Sequence, residues 1–207
     1  MSAPPRVLGV LVAGGAGRRL EVPGGKALVR LGGTTLLERA LATLGAVCDA
    51  CVVAAPAAMS LPLPAAQRVA DAAGGRGPLA GLAAGLNARP YERALALGVD
   101  FPFMRPAALA ALRDRLGSEN ALVPSPDGIP QPLAAVYAPA AGAALAAALE
   151  RGARALIPAV LDLKPRLLGD AELEGLEGGL DNFFNLNTRD DLAAAERRVA
   201  SAPRGGA

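Results

Sequence analysis

The segment RVLGVLVAGGAGRRLEVPGGKAL, residues Arg6–Leu28, decides the fold class of this chain. Its first part is a continuous apolar run that ends in glycine, which is typical of a strand buried on both faces of a parallel sheet. Its second part is a glycine-rich loop that carries Arg18, Arg19 and Lys26. Bare backbone N–H groups and cations can approach an anion closely, so the loop is suited to bind one.

Beyond this segment, strand patterns alternate with helix patterns. Thr35 and Glu38 form a capping-box pattern ahead of the apolar face of LLERALATLG, and Thr188 is expected to cap the last helix. Strands are expected in ACVVAAP, AAQRVAD, RALALGVDFP, NALVPS and QPLAAVYA, with a strand end in FFNLN. Further helices are expected in GPLAGLAAGLNA, PAALAALRDRLG, AAGAALAAALERGA, in RALIPAVLDL with an interruption at Pro158, and in TRDDLAAAERRVA.

This alternation predicts a three-layer, Rossmann-like α/β domain with a mostly parallel sheet. We expect a single domain over residues 1–201 and a frayed tail over residues 202–207. Ligands of such sheets bind at the carboxyl ends of the strands. The glycine loop, Asp71 and Asp100 all follow predicted strands, so they mark that edge as the site.

Composition excludes several classes of function. The 207 residues contain no histidine, which removes Ser-His-Asp hydrolysis and histidine-ligated metal sites. The net charge of +2 is too small to indicate a nucleic-acid surface. The chain has no apolar run of membrane-spanning length, and its start lacks the features of a signal peptide, so we expect a cytoplasmic protein without membrane contact.

The two cysteines form a C-x-x-C motif, Cys48 to Cys51. Such a motif can be redox-active or supply half of a zinc site. No second pair and no histidine complete a zinc site. The motif lies where a helix ends and a strand begins, the reverse of the thioredoxin-like placement, and this favours two structural thiols.

The glycine loop matches neither of two common phosphate-binding motifs. In the dinucleotide fingerprint G-x-G-x-x-G, Leu20 stands where the third glycine belongs. In the P-loop G-x-x-x-x-G-K-[ST], Leu20 replaces the first glycine and Ala27 replaces the final hydroxyl residue. On these residues alone, an ordinary glycine-rich surface loop remains the alternative to a phosphate site.

The whole stretch from Leu11 to Leu41 resembles the L-A-G-G-x-S-x-R-M-G-x-D-K-x-L signature of nucleotidyltransferases with a pyrophosphorylase-type fold. Within them it is most similar to the molybdenum cofactor guanylyltransferase family. Four later segments resemble that family in the same order: VADAAGGRGPLAGLAAGL, ALGVDFPFMRP, QPLAAVYAPAAGAALAAALERGARAL and FFNLNTRDDLAAAE. The resemblance runs from about Val7 to Glu196.

The chain departs from the family pattern at several positions. The aspartate before the loop lysine is Gly25, the loop serine is Gly17, and the methionine is Leu20. The histidine of the H-P-L segment is Gln131. Some relatives have an asparagine after the second strand that helps to bind the nucleotide, and here Val53 and Ala54 occupy that region.

The resemblance implies transfer of GMP from GTP to the terminal phosphate of molybdopterin, with release of pyrophosphate. It implies that Lys26 and Arg19 stabilise the phosphates and the transition state, and that Asp100 coordinates Mg²⁺. The nucleotide-binding residues that it implies are Val12, Ala13, Gly14, Gly15, Lys26, Asp71 and Asp100. It places Asn185 and Asn187 on the metal or pterin side. Transient contact with other cofactor-biosynthesis proteins is also expected.

Several alternatives stay open. Asp71 is equally suited to cap the following turn, and Asn185 and Asn187 to cap the last helix. For Asp100 the alternative is to start a D-F-P turn, but its position at the carboxyl end of a strand favours the metal site. Within the same superfamily, the alternative reaction is cytidylyl transfer to the same cofactor, or nucleotidyl transfer to a sugar phosphate or a small alcohol phosphate. A degenerate transferase fold that binds nucleotide as a scaffold is the alternative from another class.

Overall fold

The computed structural model describes residues 6–14, 25–63, 67–71 and 77–201 of the chain. Within these ranges the strands are β1 (Val7–Val12), β2 (Arg30–Leu31), β3 (Thr34–Thr35), β4 (Ala50–Ala55), β5 (Arg68–Ala70), β6 (Arg93–Gly98), β7 (Ala121–Pro124), β8 (Ala134–Tyr137) and β9 (Arg166–Leu168). The α-helices are α1 (Leu36–Gly45), α2 (Pro78–Leu86), α3 (Pro106–Arg115), α4 (Pro139–Glu150), α5 (Leu156–Leu161), α6 (Asp170–Glu174) and α7 (Arg189–Ser201).

Seven strands form one sheet in the order β5-β4-β1-β6-β8-β7-β9. Strands β5, β4, β1 and β6 are parallel, and β9 is parallel to β7. Strand β8 is antiparallel to both of its neighbours, β6 and β7. The prediction of a mostly parallel sheet is therefore confirmed. The short hairpin of β2 and β3 stands apart from the main sheet.

The sheet lies between two helical layers, because β1 buries side chains on both faces. Leu11 joins an apolar cluster formed with α1, α3 and α7, while Leu8 and Val10 join a second cluster with α2, α4 and α5. This is the three-layer arrangement expected from the continuous apolar run of β1. It places the carboxyl end of β1 between the carboxyl ends of the parallel strands β4 and β6.

The caps of α1 and α7 follow the sequence. The Glu38 N–H donates to Thr35 Oγ1 at 3.1 Å and the Thr35 N–H donates to Glu38 Oε2 at 2.8 Å, which completes the capping box. At α7 the Asp191 N–H donates to Thr188 Oγ1 at 3.1 Å. Both predicted N-caps are confirmed.

Two local predictions are wrong. FFNLN contains no strand: a 3-10 turn covers Gly179–Phe183, and the Leu186 N–H that follows donates to the Asp100 carbonyl rather than to a strand. Pro158 does not interrupt a helix, because it lies in the first turn of α5. The first-turn N–H groups have no partner within a helix, so a proline there costs no hydrogen bond.

Other short elements have too few residues for a periodic pattern to reveal them, namely β2, β3, β9 and α6. The expected frayed tail lies outside the described residues. Within the described ranges, each helix is too short or too polar to cross a membrane.

Candidate active site

The candidate site lies along the carboxyl edge of the sheet. Ala13 continues the pairing of β1 with β4, since its N–H donates to the Ala54 carbonyl at 2.9 Å. Gly14 follows and rests against the ring of Pro56, whose Cδ would lie 3.3 Å from a Cβ at position 14. Val12 and Ala13 are buried. The residues that follow β1, Ala13 and Gly14, are therefore closely packed and expose little side chain. Such a backbone surface allows a ligand to approach closely.

Lys26 follows the glycine-rich segment in the sequence and lies at the candidate site. It begins a 3-10 turn, Lys26–Leu28, directly after Gly25, whose backbone has φ 88° and ψ 174°. Glycine is almost alone in adopting this conformation. The chain thus has a glycine where the family has an aspartate. The backbone conformation of this glycine sets the direction in which the chain enters Lys26.

The Lys26 ammonium contacts two other predicted site residues. Its Nζ donates to Asn187 Oδ1 at 2.7 Å and lies 3.7 Å from Asp100 Oδ2. Lys26 is only 8% exposed. The structure thus brings together three residues that are far apart in the sequence, which we call the Lys26 cluster: Lys26, Asp100 and Asn187.

Burial sets the protonation of this lysine. Desolvation lowers the pKa of Lys26 from the usual range, and the neighbouring Asp100 carboxylate opposes the shift. The Asp100 contact of 3.7 Å is long for an ion pair, and the charge of Asp191 also acts on Lys26.

Asp100 is held by the backbone around it. The Leu186 N–H donates to the Asp100 carbonyl at 2.9 Å, which ties the loop after β6 to the segment before α7. Gly98 provides the space for the carboxylate, because a Cβ at position 98 would collide with Asp100 Oδ1. Gly98 was missed by sequence reasoning, although a glycine that ends a strand two residues before an acidic side chain is a usable signal.

The segment before α7 positions the asparagines. Asn187 Nδ2 donates to Asn185 Oδ1 at 2.6 Å, while Asp191 Oδ2 accepts from the N–H groups of Asn187 and Thr188 at 2.8 and 2.7 Å. Among the hydrogen bonds of the described residues, Thr188 and not either asparagine supplies the side-chain cap of α7.

Asp191 is a second residue that sequence reasoning did not single out. Partial burial works to raise the pKa of Asp191, but the hydrogen bonds from Asn187 and Thr188 and the charge of Lys26 together lower it. An ionised Asp191 therefore fixes the turn that presents Asn187 to Lys26. Its position three residues after the predicted cap Thr188 could have revealed this role.

Asp71 lies apart from the Lys26 cluster. It follows β5, and burial raises its pKa. A Cβ at Gly81 of α2 would be 3.2 Å from Val12 Cγ1 and 3.5 Å from Asp71 Oδ1, so these two side chains border the same bare stretch of helix. Strands β5 and β6, which Asp71 and Asp100 follow, are three positions apart in the sheet, about 14 Å at the usual strand spacing.

A cleft of about 530 Å³ opens beside Asp100 and Asn185. Its walls come from the loop before β8 and from the start of α5, and they are mainly apolar: Ile129, Pro130, Gln131, Pro132, Leu133 and Ala155, Leu156, Ile157, Pro158. Ile129 is 57% exposed and Ile157 is 38% exposed. The cleft is thus mainly apolar, and the Asp100 carboxylate is one of its few polar lining groups.

Gly15, Arg18 and Arg19 lie outside the described residues. The residues present nevertheless fit Mg²⁺ on the chemistry of their donors. Asp100 offers a carboxylate at the edge of an open cleft, and Mg²⁺ is commonly held by one or two carboxylates together with substrate phosphates. Within the described part of the chain, no three acidic or cysteine side chains cluster to form a metal cage without substrate.

Comparisons with known proteins identify the family of the chain. The model of the MobA-like NTP transferase domain matches residues 9–164. The chain belongs to the MobA-like NTP transferase family. The resemblance to molybdenum cofactor guanylyltransferases is confirmed by relatives that carry that name.

One such relative is the probable molybdenum cofactor guanylyltransferase of Chloroflexus aggregans, 37% identical over 89% of this chain and 90% of that protein. Another is the molybdenum cofactor guanylyltransferase of Desulfosudis oleivorans, 30% identical over 93% and 96%. Among solved structures, molybdopterin-guanine dinucleotide biosynthesis protein A from Archaeoglobus fulgidus superposes with a TM-score of 0.78 at 27% identity, over 94% of this chain and 98% of that one.

Proposed function

We propose that this chain transfers GMP from GTP to the terminal phosphate of molybdopterin and releases pyrophosphate. The observation that carries the proposal is the Lys26 cluster at the carboxyl ends of the strands, where a buried ammonium lies beside Asp100. The names of the full-length relatives supply the nucleotide and the acceptor.

The described residues suggest how GTP lies in the site. Its guanosine would rest near Val12 and Asp71, against the bare backbone at Gly81. Its phosphates would cross the end of β1 at Gly14 and reach Lys26. Because Asp71 and Asp100 follow strands about 14 Å apart, the nucleoside and the phosphates would have distinct places along the carboxyl ends of the strands.

The reaction needs charge stabilisation more than proton transfer. The attacking phosphate monoester is already largely ionised at pH 7, so the absence of histidine is no obstacle. Lys26 donates to the phosphates, and its ammonium balances the charge that develops on departing pyrophosphate. Asp100 would hold Mg²⁺, which supplies Lewis-acid stabilisation of the phosphates when bound.

The apolar cleft beside Asp100 is the proposed acceptor site. It joins the Lys26 cluster at Asp100 and Asn185, so a flat organic ring system in the cleft could direct its phosphate to the triphosphate. Ile129 and Ile157 are exposed on its walls and would be covered by such an acceptor. Gln131, which stands in place of the family's histidine, lines the same cleft.

The first test is a thermal melt of the full chain with Mg²⁺ and each of GTP, CTP, UTP and ATP at equal concentration. A ligand that binds only the folded state at 100 times its dissociation constant stabilises it by about 2.7 kcal/mol. We expect the largest increase in melting temperature with GTP. A larger increase with CTP would replace guanylyl by cytidylyl transfer. No increase with any nucleotide would contradict nucleotide binding, and an increase without pyrophosphate release in the presence of the acceptor would favour a scaffold.

A further inference from the structure

The two cysteines meet at the opposite end of the sheet from the Lys26 cluster. Cys48 follows α1, and Cys51 is the second residue of β4, where it pairs with Gly9 of β1. A Cβ at Gly9 would lie 2.7 Å from Cys51 Sγ and 3.2 Å from Cys48 Sγ. Both sulfurs therefore share the space that Gly9 leaves open, and both side chains are partly exposed.

The two thiols differ in their chemistry. The interaction between the two thiols lowers the pKa of Cys51 against the opposing effect of burial. The same interaction, together with burial, raises the pKa of Cys48. Cys51 is thus the better nucleophile, and the neighbouring Cys48 is the thiol with the higher pKa.

A structural metal does not account for the pair. In the described ranges, no group of three or more cysteine or acidic side chains is placed to hold a metal ion. Asp49 stands between the cysteines in sequence, but its Oδ2 accepts from the Val7 N–H at 2.9 Å. The pair is a dithiol whose sulfurs have each other as the closest reactive partner.

We propose that Cys48 and Cys51 form a reversible intramolecular disulfide by exchange with a small-molecule disulfide. The Cys51 thiolate attacks one sulfur of that disulfide, a mixed disulfide forms, and the first small thiolate leaves. Cys48 then attacks Cys51 Sγ, loses its proton to the departing sulfur, and releases the second small thiol. Two protein thiols are oxidised while one small disulfide is reduced to two thiols.

Oxidation at this place need not disturb the nucleotide site. Cys51 pairs with Gly9, whereas Ala54, at the site end of β4, pairs with Val12. Three residues of strand separate the two levels, about 10 Å. The disulfide would therefore be a property of the chain that is independent of the proposed guanylyl transfer.

The test equilibrates the reduced full chain with glutathione buffers of increasing oxidised fraction, followed by acid quench, alkylation and intact-mass measurement. We expect one transition between two species. The reduced chain takes up two alkyl groups, whereas the oxidised chain takes up none and is two hydrogen atoms lighter than the unalkylated reduced chain. Cys48→Ser should instead retain one glutathione on Cys51. Cys51→Ser should likewise retain one glutathione, on Cys48.

Three results would overturn the proposal. One is a wild-type chain that keeps both thiols alkylatable in buffers that oxidise a flexible C-x-x-C peptide. Another is a chain that carries two separate glutathiones. The third is a disulfide-linked dimer as the main oxidised product, since the described contact lies within one chain. Melting curves of both single variants verify that the thiols are compared in folded proteins.

Discussion

Replacing Lys26 by methionine removes the ammonium but keeps most of the buried aliphatic stem. At an effective dielectric constant of about 20, a unit charge about 4 Å away gains roughly 4 kcal/mol from such a cation. Only part of a unit of charge develops on departing pyrophosphate, so we expect a loss of about 3 kcal/mol in the transition state. This corresponds to a roughly hundredfold decrease in turnover.

Binding should suffer less than turnover. The backbone at Gly14 can still contact the triphosphate, and the fold should persist because Asp100, with a side chain 21% exposed, can be solvated by water. The assay measures pyrophosphate release for turnover and a GTP titration for the dissociation constant. Lys164→Met is the matched control, since Lys164 is the only other lysine and is exposed. Equal losses in binding and turnover would refute a role for Lys26 in the transition state.

Three further substitutions test separate parts of the account. Asp100→Asn keeps the shape of the side chain and should melt like the wild type while it loses more than nine-tenths of its pyrophosphate release; a smaller loss, under about 1.4 kcal/mol, would sink the assignment of Asp100 as the metal ligand. Gly98→Ala should displace the Asp100 carboxylate and lower turnover at least about tenfold. Gly45→Ala is the control, since nothing lies within 4 Å of the added Cβ, and it should leave turnover unchanged. Similar activities of the two variants would contradict the packing of Asp100 on Gly98. Cys48→Ser combined with Cys51→Ser should keep the GTP dissociation constant within about threefold of the wild type, and a tenfold increase by titration would show that the thiols serve the nucleotide site.

The central features of the fold were predictable because they depend on local patterns. The apolar run of β1 is long enough to indicate burial on both faces, and the pair Thr35 and Glu38 fixes the start of α1. The FFNLN segment misled the prediction because its apolar side chains pack as a loop: Phe103 and Phe184 lie edge to face, with ring centroids 5.4 Å apart. A short apolar stretch carries no information about whether its N–H groups will meet a strand.

The site was predictable in its parts but not in its contacts. Asp100 could be assigned to the sheet edge because it follows a strand, and Lys26 stood out as one of two lysines. The bond between Lys26 and Asn187 joins residues 161 positions apart, so no sequence spacing could reveal it. The space at Gly98 likewise depends on how the loop after β6 turns back on its own backbone.

The most direct test of the proposed reaction is product analysis with the purified chain, molybdopterin and Mg²⁺, supplied in parallel with GTP or CTP. Mass spectrometry of the acceptor is measured together with released pyrophosphate. The proposed function predicts an acceptor heavier by one GMP unit, formed with one pyrophosphate per transfer, and far less product with CTP. A CMP adduct as the main product would contradict guanylyl transfer by this chain. So would GTP binding without release of pyrophosphate and without a change in the mass of the acceptor.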